Sequence, residues 1–351
     1  MKPMTLGTVG ILCLAGSLSA QKYAYHPSNH EKVEGYSYET YNHVSYGISR
    51  VQYHYENWDL AMPKGAKIDS ISMRQDGNNA ITGYKLQYDL SMGLSSKTMD
   101  QTVSTFDSNY DSGTKAEVVA KTTIDLPSFS KGSVPSQNWV EFKFAKPFIF
   151  DNTKNLAWDI RIYANSNGNK NFPYYLDYAQ YLVQHDRTIG QACSTGGKAY
   201  LGNAILGSNW NIQLQSGPAS VPTILFIGGS KTKLLGVIPL PFSLDPLGMK
   251  GCSQYVDISI ILTPGSTNTS GNLSINLPVP LDFKLRDGWI YTQWWAVDIF
   301  ANNAGLVSSA GAGTTFGAYP RQTMLVNSTS ATATTGSRYT NRGLVTRFGY
   351  Q

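Results

Sequence analysis

Short runs in which apolar and polar side chains alternate dominate this chain. Tyr53 and Tyr55 alternate with Gln52 and His54, the pattern of a half-buried strand. Comparable runs at 67–74, 83–91, 116–126, 139–144 and 156–163 are bounded by turn residues, among them Asp76-Gly77-Asn78-Asn79. The stretch 165–171 reads as a polar loop. No amphipathic helix separates these runs, so they predict an antiparallel sandwich or jelly roll.

A second series begins near Ala192. Its strands are expected at 211–215, 223–227, 256–262, 272–277 and 288–299. The run at 223–227 is continuously apolar and reads as buried. Ile238-Pro239-Leu240-Pro241 cannot form a central strand, because proline has no amide to donate, and is expected to cover a sheet edge. The expected fold is all-β, with two antiparallel β-sandwich or jelly-roll-like domains in tandem. Their expected limits are 46–190 and 191–317, flanked by a tyrosine-rich segment at 21–45 and a basic tail at 318–351.

The first residues change where this protein is placed. Lys2 precedes an apolar run over 6–18, and Ser17, Ser19 and Ala20 supply small side chains for cleavage. This is the layout of a secretory signal peptide over 1–20, and the run is too short to span a bilayer, which takes roughly 20 apolar residues. Leu12 before Cys13 is too bulky for a lipoprotein motif. The expected product is soluble and secreted, extracellular or on the cell surface, with the periplasm as the alternative. Charged residues are only 15% of the chain, and Gly and Tyr number 33 and 22, a profile of turns and strands rather than helices. The basic residues are dispersed, which argues against a nucleic-acid partner. Removing the leader leaves Cys193 and Cys252. In an oxidising compartment that pair reads as a disulfide, the alternatives being a catalytic thiol or a metal ligand.

Several strings resemble a known group. Pro239-Leu240-Pro241-Phe242-Ser243-Leu244, Pro246-Leu247-Gly248-Met249 and Gly251-Cys252 are followed by Tyr291-Thr292-Gln293-Trp294. They are similar to a C-terminal module of uncharacterised exported proteins of planctomycete-type bacteria. The earlier Pro147-Phe148-Ile149-Phe150 and Trp158-Asp159-Ile160-Arg161 resemble the sandwich that precedes that module. The likeness covers about 45–317. It implies a secreted two-sandwich protein with its two cysteines paired, and it implies no activity. The tail at 318–351 extends past it, lacks acidic residues, and carries Arg321, Arg338, Arg342 and Arg347.

Candidate chemistry is sparse. No G-x-S-x-G elbow is present, and Gly228-Gly229-Ser230-Lys231-Thr232 lacks phosphate-loop spacing and reads as a turn. His26, His30, His43 and His54 lie near the expected mature terminus and read as solvated. Asp107, Asn109 and Asp111 present oxygens at alternate positions, as a calcium loop would, although an Asx turn also explains them; no other cofactor is expected. Asp177, Asp186 and Asp298 are isolated in sequence, so a carbohydrate-active enzyme on a jelly-roll scaffold is the last of three readings. Trp58, Trp139, Trp158, Trp210, Trp289, Trp294 and Trp295 could offer flat faces to sugar rings. Trp294 and Trp295 are adjacent in a strand and must point to opposite faces, which makes the exposed one the candidate ligand contact.

The leading expectation is a non-catalytic surface protein that self-associates or adheres to other surface or matrix components by strand addition. Tyr36, Tyr38, Arg342, Arg347 and Phe348, in the terminal segments, are its candidate assembly residues. Glycan binding through exposed aromatics is the alternative.

Overall fold

The computed structural model describes residues 21–351 apart from 36, 40, 41, 180, 341 and 342, and at 37–39 the backbone alone. The expected leader at 1–20 lies outside the described residues. The chain is all-β: antiparallel sheets joined by loops and short 3-10 turns, with no α-helix among the described residues. No helix there is long and apolar enough to cross a membrane.

One core closes between two sheets. The six-stranded sheet runs in the order Ser337–Thr340, Gln322–Asn327, Ser49–Tyr55, Asn155–Asn165, Lys85–Ser95, Ala116–Asp125. The four-stranded sheet runs Lys22–His26, Thr346–Tyr350, Ala66–Arg74, Trp139–Phe150. Val51, Tyr53, Ile68, Leu90, Phe142 and Trp158 meet in the space between them.

These orders correct the expectation for both ends of the chain. Lys22–His26 pairs along its length with Thr346–Tyr350, which pairs on its other edge with Ala66–Arg74. Gln322–Asn327 likewise lies between Ser49–Tyr55 and Ser337–Thr340. The stretch at 318–351 is therefore not a free tail; its strands complete the sandwich built by the first half. The physical reason is its alternation. Met324, Leu344 and Phe348 are buried in that core. Arg347 stays at the surface side, its guanidinium 4.3 Å from the Tyr23 ring centroid and 4.4 Å from that of Trp139. Phe348 and Arg347 thus hold the chain's own ends together. Tyr38 lies in Ser37–Glu39, which pairs with Leu176–Ala179, and Tyr36 and Arg342 lie outside the described residues.

A second core is assembled between those strands. Its larger sheet is seven-stranded, with the order His185–Ile189, Gly311–Gly317, Trp289–Val297, Pro222–Gly228, Ile260–Ser266 as its main path. The three-stranded sheet is Lys198–Leu201, Asn209–Gln215, Leu273–Pro278. Trp210, Ile212, Leu214, Leu225, Ile227 and Trp294 fill the interior. The proline-rich Ile238–Pro239 pairs only in a small hairpin with Lys233–Leu234. A disulfide joins Cys193 and Cys252 across 59 residues. Closing a loop of that length is worth up to roughly 4 kcal/mol on the chain-entropy account. Replacing both cysteines by serine should therefore cost about 2–4 kcal/mol, read as a lower urea midpoint. An unchanged midpoint would show that the sheets alone hold this core.

The two cores touch through a polar clamp. Arg286 Nη1 lies 2.6 Å from Asp59 Oδ1, and its Nη2 donates to Ser28 Oγ at 2.9 Å. Asp59 Oδ2 faces His26 Nε2 at 3.2 Å, and Trp58 leans on Phe283 with ring centroids 4.3 Å apart.

Candidate functional site

Strand Asn209–Gln215 reads Asn-Trp-Asn-Ile-Gln-Leu-Gln. Trp210, Ile212 and Leu214 enter the core, so Asn209, Asn211, Gln213 and Gln215 stand on the opposite, outer face. The register sets Tyr200 and Ser274 beside Gln213, Lys198 beside Gln215, and Asn276 beside Asn211. The amides are linked in one direction. Gln215 Nε2 donates to Gln213 Oε1 at 2.8 Å, and Gln213 Nε2 to Asn211 Oδ1 at 2.6 Å. Asn211 Nδ2 then donates to Ser274 Oγ at 2.8 Å and Asn276 Oδ1 at 3.0 Å. Each bond fixes the next carboxamide, so the face is oriented before anything binds.

Tyr200 is 44% exposed at the border of this ladder, with the Arg187 guanidinium carbon 5.6 Å from its ring centroid. Two depressions flank the ladder. One of about 430 Å³ is lined by Gln213, Gln215, Ser216, Asn268, Asn272 and Ser274. The other, about 160 Å³, lies against His185–Ile189 and Lys198–Leu201. Its walls include Asp186, Arg187, Lys198, Tyr200, Gln215 and Gly313. The Asp186 carboxylate is held by Lys231 at 2.7 Å.

A second aromatic surface lies on the outer side of the larger sheet. Trp289, 37% exposed, stacks on Tyr291 with centroids 5.7 Å apart and planes 6° apart. Gly313 makes room for the pair, since a Cβ there would meet the Tyr291 ring at 2.5 Å.

The residues singled out from sequence fall elsewhere. Trp294 is fully buried. Trp295 points to the opposite face, edge-on to Phe226 at 4.9 Å, and borders a largely apolar depression of about 280 Å³ with Ile224 and Val297. Asp107, Asn109 and Asp111 do not share a site. Asp107 is held by Arg50 and Lys115 at 2.9 and 2.8 Å, and Asp111 by Lys154 at 2.6 Å. Asn109 is buried and bonded to Gln52 and to the Val103 backbone. Among the described residues no group of three or more His, Cys, Asp or Glu is placed to hold a metal ion. Asp177 accepts from Arg74 Nε at 2.7 Å, Asp298 from Thr195 Oγ1 at 2.6 Å and Asp186 from Lys231 at 2.7 Å, so each carboxylate has a partner of its own. His26, His30, His43 and His54, expected to be solvated, are all buried. Sequence reasoning missed the amide ladder; its signal was the alternation Asn-x-Asn-x-Gln-x-Gln over Asn209–Gln215.

No family model and no curated protein matches this chain. Among solved structures, a truncated AlyQ with CBM32 and alginate lyase domains aligns over 87% of this chain and 83% of its own, at 8% identity and a TM-score of 0.18. The cryo-EM structure of a T=1 Penaeus vannamei nodavirus aligns over 84% and 97%, at 9% identity and a TM-score of 0.13. Neither score is high enough to place the chain with either protein.

Proposed function

We propose that this is a non-catalytic extracellular glycan-binding protein whose binding surface is the outer face of the three-stranded sheet. The observation that carries the reading is the oriented amide ladder from Gln215 to Asn276 beside exposed Tyr200. Sugar hydroxyls are both donors and acceptors, and a carboxamide is an uncharged side chain that offers two donors and a carbonyl acceptor. The tyrosine adds a flat apolar face for the C–H side of a ring. Because the strand is pinned by its core-facing residues, little ordering entropy is lost on binding. Strand-mediated assembly has less support, because the terminal strands that would add to another subunit are already paired within the chain.

A glycan array on the purified protein, followed by calorimetry on its best ligand, tests this. Tyr200→Ala and the double variant Gln213→Ala/Gln215→Ala should each lower affinity at least about tenfold, equal to about 1.4 kcal/mol, without moving Tm by more than a few degrees. Trp295→Ala should bind normally. Affinity that survives both ladder and tyrosine substitutions removes this face from consideration, and a silent array removes the glycan reading.

A further inference from the structure

We infer that the smaller depression beside the ladder is a subsite for the negatively charged group of an acidic sugar, a carboxylate or a sulfate ester. This rests on the glycan-binding reading. Two cations line that depression from different strands, Arg187 from His185–Ile189 and Lys198 from Lys198–Leu201. Among the described residues neither is paired with a carboxylate. The third cation nearby, Lys231, is neutralised by Asp186, so that acid does not cancel the other two.

Arg187 is partly preset. Its guanidinium lies 5.6 Å from the Tyr200 ring centroid, and Nη1 reaches the Leu201 carbonyl at 3.4 Å. A guanidinium carries five N–H donors in a fixed plane, so most of them remain for an oxyanion. Such charge-assisted pairs are about twice as strong as neutral hydrogen bonds, and arginine suits planar, two-oxygen acceptors.

Continuity with the ladder is the second argument. Gln215 lines both the larger polar depression and this one. Asn211 to Gln215 spans roughly 13 Å at the usual strand rise, the length of a short oligosaccharide. A chain lying along the amides therefore runs into the pocket holding Arg187 and Lys198. The neutral amides take the ring hydroxyls, and the cations select for the charged substituent.

Matched ligands separate the outcomes. Calorimetry would compare oligogalacturonate with its methyl ester, and chondroitin sulfate with desulfated chondroitin, in low and moderate salt. At least one charged ligand should bind about tenfold or more tightly than its uncharged or less charged counterpart. That ratio should shrink with salt, as screening of a charge pair requires. Arg187→Gln and Lys198→Gln should each bring the ratio toward one, whereas Lys64→Gln, on the first sandwich, should leave it intact. Preference for the first pair assigns the carboxylate and preference for the second the sulfate. Equal affinity within both pairs, or a preference untouched by Arg187→Gln and Lys198→Gln, overturns the subsite while leaving the glycan reading standing. No binding to any of these four or to a neutral array overturns both.

Discussion

Truncation after residue 317 should yield a chain that does not fold its first sandwich. The deleted stretch contains two strands that are paired on both edges, Gln322–Asn327 and Thr346–Tyr350. It also carries Met324, Leu325, Val326, Leu344, Val345 and Phe348, all buried. Burying a side chain of this kind contributes about 1.5–3 kcal/mol, so the six together supply roughly 9–18 kcal/mol. That is as large as the whole net stability of a typical domain, about 5–15 kcal/mol. Circular dichroism melts and size-exclusion chromatography should therefore show aggregation or loss of the cooperative transition. Phe348→Ala offers a graded version and should cost about 3–5 kcal/mol through the cavity it leaves. A truncated protein that melts cooperatively within a few degrees of the full chain would mean these strands are accessory.

The strand character of these ends is legible in the sequence, since Phe348 and Tyr350 alternate with Arg347 and Gly349. Their partners are not. Tyr23 pairs with Gly349 and Phe348 with Ile71, separations over which alternation carries no information about register. Four arginines without an acid look like a tail in one dimension. In the fold Arg321 pairs with Glu56 at 2.8 Å and Arg347 stacks on aromatic rings, so the compensating groups come from the far end of the chain. The acidic loop misled in part for the same reason: Arg50 reaches it from Ser49–Tyr55 and Lys154 from the bend before Asn155–Asn165, while Lys115 follows the loop itself. What depends on neighbours within a strand was readable: Trp294 and Trp295 do face opposite sides. Which aromatic stays open, and that the amides at 211–215 join Ser274 and Asn276, depends on pairing across strands.

Acid should weaken the fold through His43, and replacing His43 should remove that sensitivity. The imidazole is fully buried, with Nδ1 3.0 Å from Tyr53 Oη and the rings of Phe142 and Trp158 against it. Burial penalises the charged ring and lowers its pKa from 6.5 to about 3. Between those values the unfolded chain takes up a proton that the folded one refuses. Stability therefore falls with pH across this window, by about 1.4 kcal/mol per unit. Burial of His54 and His30 acts in the same direction, each lowered to about 4. Glu34 and Asp177 oppose it, because burial raises their carboxyls to about 7 and about 6. Subtracting the curve of His43→Leu from that of the wild type cancels all four. At pH 8 the variant should be less stable by about 1–3 kcal/mol, since the hydrogen bond between the imidazole and the Tyr53 hydroxyl is lost. Below pH 6.5 that gap should shrink by about 2 kcal/mol by pH 5 and reverse between about pH 6 and 4.3 according to its starting size, because leucine has no proton to refuse. Urea titrations at pH 8, 6, 5 and 4.5 measure it. A gap that stays constant over this range would mean the imidazole protonates inside the fold with its ordinary pKa, and that the space between Tyr53, Phe142 and Trp158 admits water.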